Sequence, residues 1–169
     1  MSLKSMLARG TVVLAAAGKK MQTLQVRLTA GELKDGAEHF EPYGFTSNPL
    51  GGAEVLTAFL GGDRSHAVVL VAADRRYRIQ GLKSGEVAIY TDEGDKVHLK
   101  RGRVIDIETE TLNIKASTAV NFETPVINQT GKIVSQGDQV AGSVSQINHL
   151  HNNVEMGDAQ SGPPVPEAE

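Results

Sequence analysis

The sequence predicts an all-β protein in which an N-terminal barrel precedes an intertwined, trimeric β-helix. Three observations lead to this prediction. Short runs rich in Val, Leu and Thr are separated by glycines up to about residue 80. Beyond about residue 95, apolar pairs recur every seven or eight residues. Aromatic residues are only 4% of a chain without cysteine, so stability must come from packing or assembly rather than from disulfides.

The N-terminal runs have the length of strands and lack a helical period. Turns are expected at Gly51-Gly52 and Gly61-Gly62, and the pattern suits a small barrel or sandwich of five or six strands. A hairpin-like neck follows, with a turn at Glu93-Gly94. The expected strands are 10–16, 21–28, 54–60, 66–72, 76–80, 87–92 and 96–99.

Alternating apolar pairs mark the second half of the chain. Alternation places both members of a pair on one face of a strand. One such face cannot form a core within one chain, because each ordered residue costs about 1–2 kcal/mol of backbone entropy. Three copies around a common axis would combine their faces and close the sheet edges, so we expect a homotrimer. The pairs are Val97/Leu99, Ile105/Ile107, Leu112/Ile114 and Val120/Phe122.

An alternative is that residues 95–148 are further strands of one monomeric β-domain. Two features favour the trimer instead. The apolar period is regular, and residues 109–130 contain no glycine and one proline, which leaves tight hairpins poorly encoded.

The motif His149-Leu150-His151 is the candidate metal site. In an extended chain, residues two apart share a face, so one chain offers two imidazole ligands. Three chains on an axis would provide six, the number that an octahedral transition-metal ion accepts. Iron(II) is the leading candidate, and nickel or cobalt are not distinguished from it. Such a closed site would be structural. The alternative is two exposed histidines in a polar tail.

Other side chains do not suggest an enzyme. Asp63, Ser65 and His66 are too close in sequence to converge as a catalytic triad, and a solvated turn is expected there. The short basic run in 74–76, next to Tyr77, is expected to be a solvated loop or to form salt bridges between subunits. Asp138 and Asp158 could offer oxygen ligands to calcium, although surface carboxylates are the simpler interpretation.

Charge and hydropathy exclude further classes of protein. The net charge of -3 offers no general attraction for nucleic acid, and we predict no nucleic-acid binding. The apolar run 11–18 suits a first buried strand better than a signal peptide, so the protein is expected to be made in the cytoplasm.

Five segments, taken in order, carry a family resemblance. They are GFTSNPL at 44–50, FLGGDRSH at 59–66, DRRYR at 74–78, GEVAIY at 85–90 and HLH at 149–151. Together they resemble the central tail spike, or baseplate assembly protein V, of contractile-tailed phages, and most closely the Mu-like branch.

The resemblance implies an OB-fold-like barrel over 1–80, a neck over 81–95, a triple-stranded β-helix over 96–148, and an apex with a C-terminal tail over 149–169. It implies that His149 and His151 of three chains hold one iron ion per trimer. Calcium and chloride ions are further possibilities at unknown positions.

The function implied is mechanical. A spike at the tip of the virion's tail baseplate, held by other baseplate and tail tube proteins, would pierce the host outer membrane during tail contraction and open the way for the genome. The alternative is a trimeric receptor-binding or adhesin-type fibre. Such a fibre is expected to carry an enlarged, aromatic-bearing terminal domain, whereas the 18 residues after His151 contain no aromatic side chain.

Overall fold

A computed structural model describes residues 6–29, 31–153 and 157. The described residues contain ten β-strands and one short 3-10 turn but no α-helix, which confirms the all-β prediction. The chain divides into two units, Met1–Lys115 and Ala116–Glu169. The strands are β1 Leu7–Ala16, β2 Thr23–Leu28, β3 Leu33–His39, β4 Glu54–Phe59, β5 Ala67–Ala73, β6 Val87–Tyr90, β7 Lys96–Lys100, β8 Val104–Glu108, β9 Val140–Ala141 and β10 Val144–Ser145.

The first five strands form a closed barrel in the order β1-β2-β3-β5-β4. Strand β1 is long enough to pair with both β2 and β4, and this double pairing closes the barrel. Strands β3 and β5 pair in parallel, while the other barrel pairs are antiparallel. The closed, five-stranded form agrees with the OB-fold-like barrel expected from the sequence.

Strict alternation builds the barrel core. The inward positions of β2 are Leu24, Val26 and Leu28, and all three are buried. Gly10 lies where β1 crosses close to β2, and a Cβ there would meet the carbonyl oxygen of Arg27 at 2.5 Å. Only glycine fits this approach. All buried apolar side chains of the described residues belong to the barrel, between Val12 and Val69.

Two details of the barrel differ from the sequence prediction. Strand β3 was not expected, because its sequence LKDGAEH is polar and contains Gly36. It is held by pairing with β2 and β5. The predicted strand 76–80 is wrong, because the N–H groups of Tyr77 and Arg78 bond to the carbonyl of Asp74 and turn the chain there.

A three-stranded antiparallel sheet follows the barrel, in the order β6-β7-β8. It includes residues on both sides of position 95, where the sequence suggested that the neck ends and the β-helix begins. Strands β7 and β8 form a hairpin through Gly102, at φ +84°, and Arg103, at φ +61°. The alternating pairs of 97–107 therefore lie in one sheet with β6.

Glu86 fixes the entry to this sheet. Its side chain is only 6% exposed and accepts hydrogen bonds from the N–H groups of Arg101 and Lys83 and from the His98 ring. These contacts, led by the Arg101 N–H, hold the pKa of Glu86 below its usual range.

The segment after β8 has little regular structure within one chain. Between β8 and β9, residues 109–139 contain no strand and no helix. The expected strands around Leu112/Ile114 and Val120/Phe122 are therefore not formed in the single chain, where no described segment pairs with them. Strands β9 and β10 form a small hairpin. Most of the predicted tail 152–169, including Asp158, lies outside the described residues. No described helix is long and apolar enough to cross a membrane.

Barrel stability should depend on Leu24 and not on Leu14. Leu24 is 0% exposed and Leu14 is 64% exposed, so replacing each by alanine compares the same truncation at a buried and at an exposed position. We expect Leu24→Ala to lower the free energy of unfolding by about 2–5 kcal/mol and Leu14→Ala by about 0.5 kcal/mol or less. Urea denaturation followed by circular dichroism measures both. Equal losses would contradict the assigned core.

The neck should lose stability in acid through Glu86. Because the pKa of Glu86 is lowered in the fold, the carboxylate stabilises the protein above its unfolded pKa of about 4.3, and this contribution is lost as the pH falls through the folded pKa. Glu86→Gln should therefore be less stable than the wild type at pH 7, and the difference should disappear in acid. Denaturation at a series of pH values measures it. Glu93→Gln, in an exposed turn, is the control and should show no such difference.

Candidate metal site and assembly surface

His149 and His151 lie shortly after β10 on an exposed part of the chain. Their ring centroids are 5.0 Å apart and the ring planes cross at 77°. The predicted pair is therefore brought together within a single chain, with both rings accessible to a ligand or to another copy.

Local hydrogen bonds orient the first of these rings. The Nδ1 atom of His149 lies 2.9 Å from the carbonyl oxygen of Ser145. A carbonyl can only accept, so in the neutral ring this contact requires the proton on Nδ1 and leaves the lone pair of Nε2 free. Metal-binding histidines usually have this arrangement, with one ring nitrogen hydrogen-bonded and the other free for the ion.

One chain does not complete a metal site. Among the described residues, no group of three or more His, Cys, Asp or Glu side chains is placed to hold an ion. The donor chemistry fits a borderline transition metal, because His149 and His151 offer two neutral nitrogens. These two side chains alone leave further coordination positions of such an ion to be filled.

The β6-β7-β8 sheet presents one entirely apolar face, which we call the apolar neck face. Residues directly opposite each other in paired strands point to the same side of the sheet. The register places Val87 opposite Leu99 and Ile89 opposite Val97, and it continues the same rows onto β8. Most of these side chains are exposed in the single chain. The face consists of Val87, Ile89, Val97, Leu99, Ile105 and Ile107.

The opposite face of the sheet is charged and internally paired. Lys96 lies 2.5 Å from Glu108, and Lys100 contacts Asp106. The Lys100 ammonium lowers the pKa of Asp106, and the Asp106 carboxylate raises the pKa of Lys100. This face satisfies its charges within one chain, whereas the apolar neck face leaves its side chains in water.

Exposure of apolar side chains continues along the chain. Every residue from 107 to 138 is exposed. No backbone–backbone hydrogen bond joins residues 111–138 to any described part of the chain. Apolar side chains in this stretch reach exposed fractions of 67% for Phe122 and 85% for Val134. Exposed apolar side chains mark an interaction surface where they form a contiguous patch.

The remaining sequence candidates are held in local polar contacts. Asp63 accepts hydrogen bonds from the backbone N–H and the hydroxyl of Ser65, at 2.8 and 2.7 Å, as in a solvated turn. Arg75 pairs with Glu54, and Arg76 pairs with Asp74 at 2.5 Å. These ion pairs lie within one chain, and the expected salt bridges between subunits stay a prediction.

Sequence reasoning missed two contributors to the site. It treated residues 87–92 as a neck hairpin and did not assign Val87 and Ile89 to the same apolar face as β7 and β8. It also missed Ser145, whose carbonyl orients His149. The alternation of Val87 and Ile89 in β6 could have revealed their place on the apolar face. The Ser145 carbonyl could not have been found, because a backbone carbonyl leaves no signal in the sequence.

Comparison with known proteins identifies the family. Residues 9–76 match the family model described as Bacteriophage Mu Gp45, N-terminal. The chain is 38% identical over 135 residues to the baseplate puncturing device gp45 of Escherichia phage Mu, covering 79% of this chain and 68% of that protein. It is 32% identical over 176 aligned positions to the Mu-like prophage FluMu protein gp45 of Haemophilus influenzae, covering 97% of this chain and 92% of that protein. The chain therefore belongs to the Mu Gp45 family, the family of the phage Mu baseplate puncturing device.

Proposed function

We propose that this protein is the structural central spike of a phage tail baseplate, that it acts as a homotrimer, and that it pierces the host outer membrane during tail contraction and genome delivery. One observation carries the proposal. Residues 107–138 form an extended, exposed stretch with no backbone partner among the described residues, although it carries alternating apolar pairs such as Leu112/Ile114 and Val120/Phe122.

A trimer would remove these side chains from water. Three copies of the apolar neck face, turned toward a common axis, would form a closed core, and the strands would gain pairing partners in the neighbouring copies. The alternating pattern past Ile107 would then continue the same core as a triple-stranded β-helix over residues 96–148. Burying one isoleucine side chain contributes about 1.5–3 kcal/mol, so repeated layers would stabilise the assembly strongly.

A mechanical role fits this construction better than an enzymatic one. Catalysis of hydrolysis would require paired carboxylates or a metal with an open coordination position. The polar groups of the described sheet are instead engaged in ion pairs such as Lys96–Glu108. Intertwined strands resist unfolding under load, because no copy leaves without unwinding from the others.

A metal ion would close the apex. His149 and His151 from three chains would supply six imidazole nitrogens to one iron(II) per trimer, and the free Nε2 of His149 supports this assignment. When bound, the ion would supply a cross-link between the three chains at a point where strand ends otherwise fray.

The membrane role rests on the family. The phage Mu relative is a baseplate puncturing device, and we extend that role to this chain. The barrel would bind other baseplate and tail tube proteins, and the protein would reside at the baseplate tip of the virion. Each of these assignments requires the trimer.

The trimer is tested by the mass of the protein in solution. Equilibrium ultracentrifugation should give three times the chain mass of 18.0 kDa. The double variant Ile105→Gln/Ile107→Gln places polar groups on the apolar neck face and should shift the mass to one chain. Asp106→Gln/Glu108→Gln changes the alternate residues of the same strand and should remain trimeric, because its exposed ion pairs contribute about 1 kcal/mol or less. A monomeric wild type would contradict the spike.

The apex is tested by metal analysis of the same trimer. We expect one iron per three chains, and loss of that iron in His149→Ala/His151→Ala with the trimer preserved, because the apolar layers remain. His66→Ala removes an exposed imidazole elsewhere and should retain the metal. Iron bound at wild-type stoichiometry in the double variant would refute the assigned ligands.

A further inference from the structure

A second polar network lies next to His149 and is centred on Asp138. The Asp138 Oδ1 atom accepts a hydrogen bond from the N–H of Ile147 at 3.1 Å. Hydrogen bonding within this segment, led by that of the Ser145 side chain, lowers the pKa of Asp138. One carboxylate thus joins both sides of the β9–β10 hairpin.

Ser145 connects this network to the histidine. Its hydroxyl accepts the N–H of Asn148 at 2.7 Å. Its carbonyl accepts the Nδ1–H of His149 at 2.9 Å. Asp138, through the Ile147 N–H, closes the end of the hairpin that carries Ser145, and the position of the His149 ring therefore depends on that closure.

The hairpin has little else to stabilise it. Each strand contains two residues, and both valines, Val140 and Val144, are more than half exposed. One additional backbone hydrogen bond runs from the Gln146 N–H to the Gln139 carbonyl at 2.9 Å. Hairpins of this size are marginal in water, so the Asp138 contacts are a large share of what holds this one.

We propose that Asp138 is a positioning residue for the metal site: its carboxylate keeps the β9–β10 hairpin closed, so that the Ser145 carbonyl holds the His149 ring with Nε2 directed to the ion. This inference rests on the proposed metal function of His149 and His151. It adds to the two proposed ligands the hydrogen bonds that orient one of them. Mutation of such hydrogen-bonding partners typically weakens metal affinity about 10–100-fold.

Metal affinity provides the first test. The full-length trimer, stripped of metal with a chelator, is titrated with Co²⁺ as the probe, and binding is followed by visible absorption. Asp138→Ala should bind Co²⁺ about 10–100-fold more weakly than the wild type while remaining trimeric. Glu123→Ala removes an exposed carboxylate from the same unit and should bind like the wild type. Ser145→Thr keeps the hydroxyl and should also bind like the wild type.

The protonation of the ring provides a second test that needs no metal. In the metal-free trimer with ¹⁵N-labelled histidine, nitrogen chemical shifts report which ring nitrogen carries the proton. We expect His149 to be the Nδ1–H tautomer in the wild type and a mixture of tautomers in Asp138→Ala. A purely structural effect on the trimer would leave this tautomer unchanged.

The outcomes separate the two proposals. A wild-type trimer that binds no Co²⁺ overturns the metal site and the positioning role together. A wild-type trimer that binds Co²⁺, with Asp138→Ala equal to it in affinity and tautomer, overturns the positioning role alone. Should Asp138→Ala fail to assemble, Asp138→Asn, which keeps the shape but weakens the acceptor, decides the question by the same two measurements.

Discussion

Beyond Val69 no described apolar residue is buried within a single chain, so the apolar side chains of the second half need another surface to leave water. The hydrophobic effect is the dominant favourable contribution to folding, and here it is satisfied internally only by the barrel. The apolar neck face and the exposed stretch 107–138 are therefore incomplete as parts of one chain. The proposed trimer and the proposed spike both follow from this one constraint.

The barrel and the rest of the chain obtain order in different ways. The barrel closes its own sheet and fills its interior with alternating residues such as Leu24 and Val26, so it needs no partner to satisfy its strand edges. The β6-β7-β8 sheet satisfies only its charged face. In the proposed trimer, this division would suit a protein that transmits force, because the barrel would be held by its neighbours while the intertwined strands provide stiffness.

Where apolar burial is absent, single carboxylates organise the backbone. Glu86 gathers two N–H groups and the His98 ring at the entry to the neck sheet. Asp138 accepts the N–H of Ile147 across the small hairpin before His149. In both places a charged acceptor holds backbone N–H groups, and such charge-assisted hydrogen bonds are stronger than neutral ones. This is a way to fix local geometry without a core.

Local patterns in the sequence determined much of this protein: four barrel strands, the glycine turns at 51–52 and 61–62, the apolar alternation of 97–107, and the proximity of His149 and His151. Each depends on neighbours in the chain. Tertiary structure alone decided that the polar segment LKDGAEH becomes strand β3, because pairing on both sides outweighs its weak propensity. Tertiary structure also decided that the chain turns after Asp74 instead of forming a strand at 76–80. It placed Val87 and Ile89 on the same face of the sheet as Ile105 and Ile107, and it let the Ser145 carbonyl orient His149. These features depend on strand register, which is set by pairing between distant segments, and on backbone carbonyls. Every residue type carries the same carbonyl, so the sequence does not reveal which one will accept a hydrogen bond.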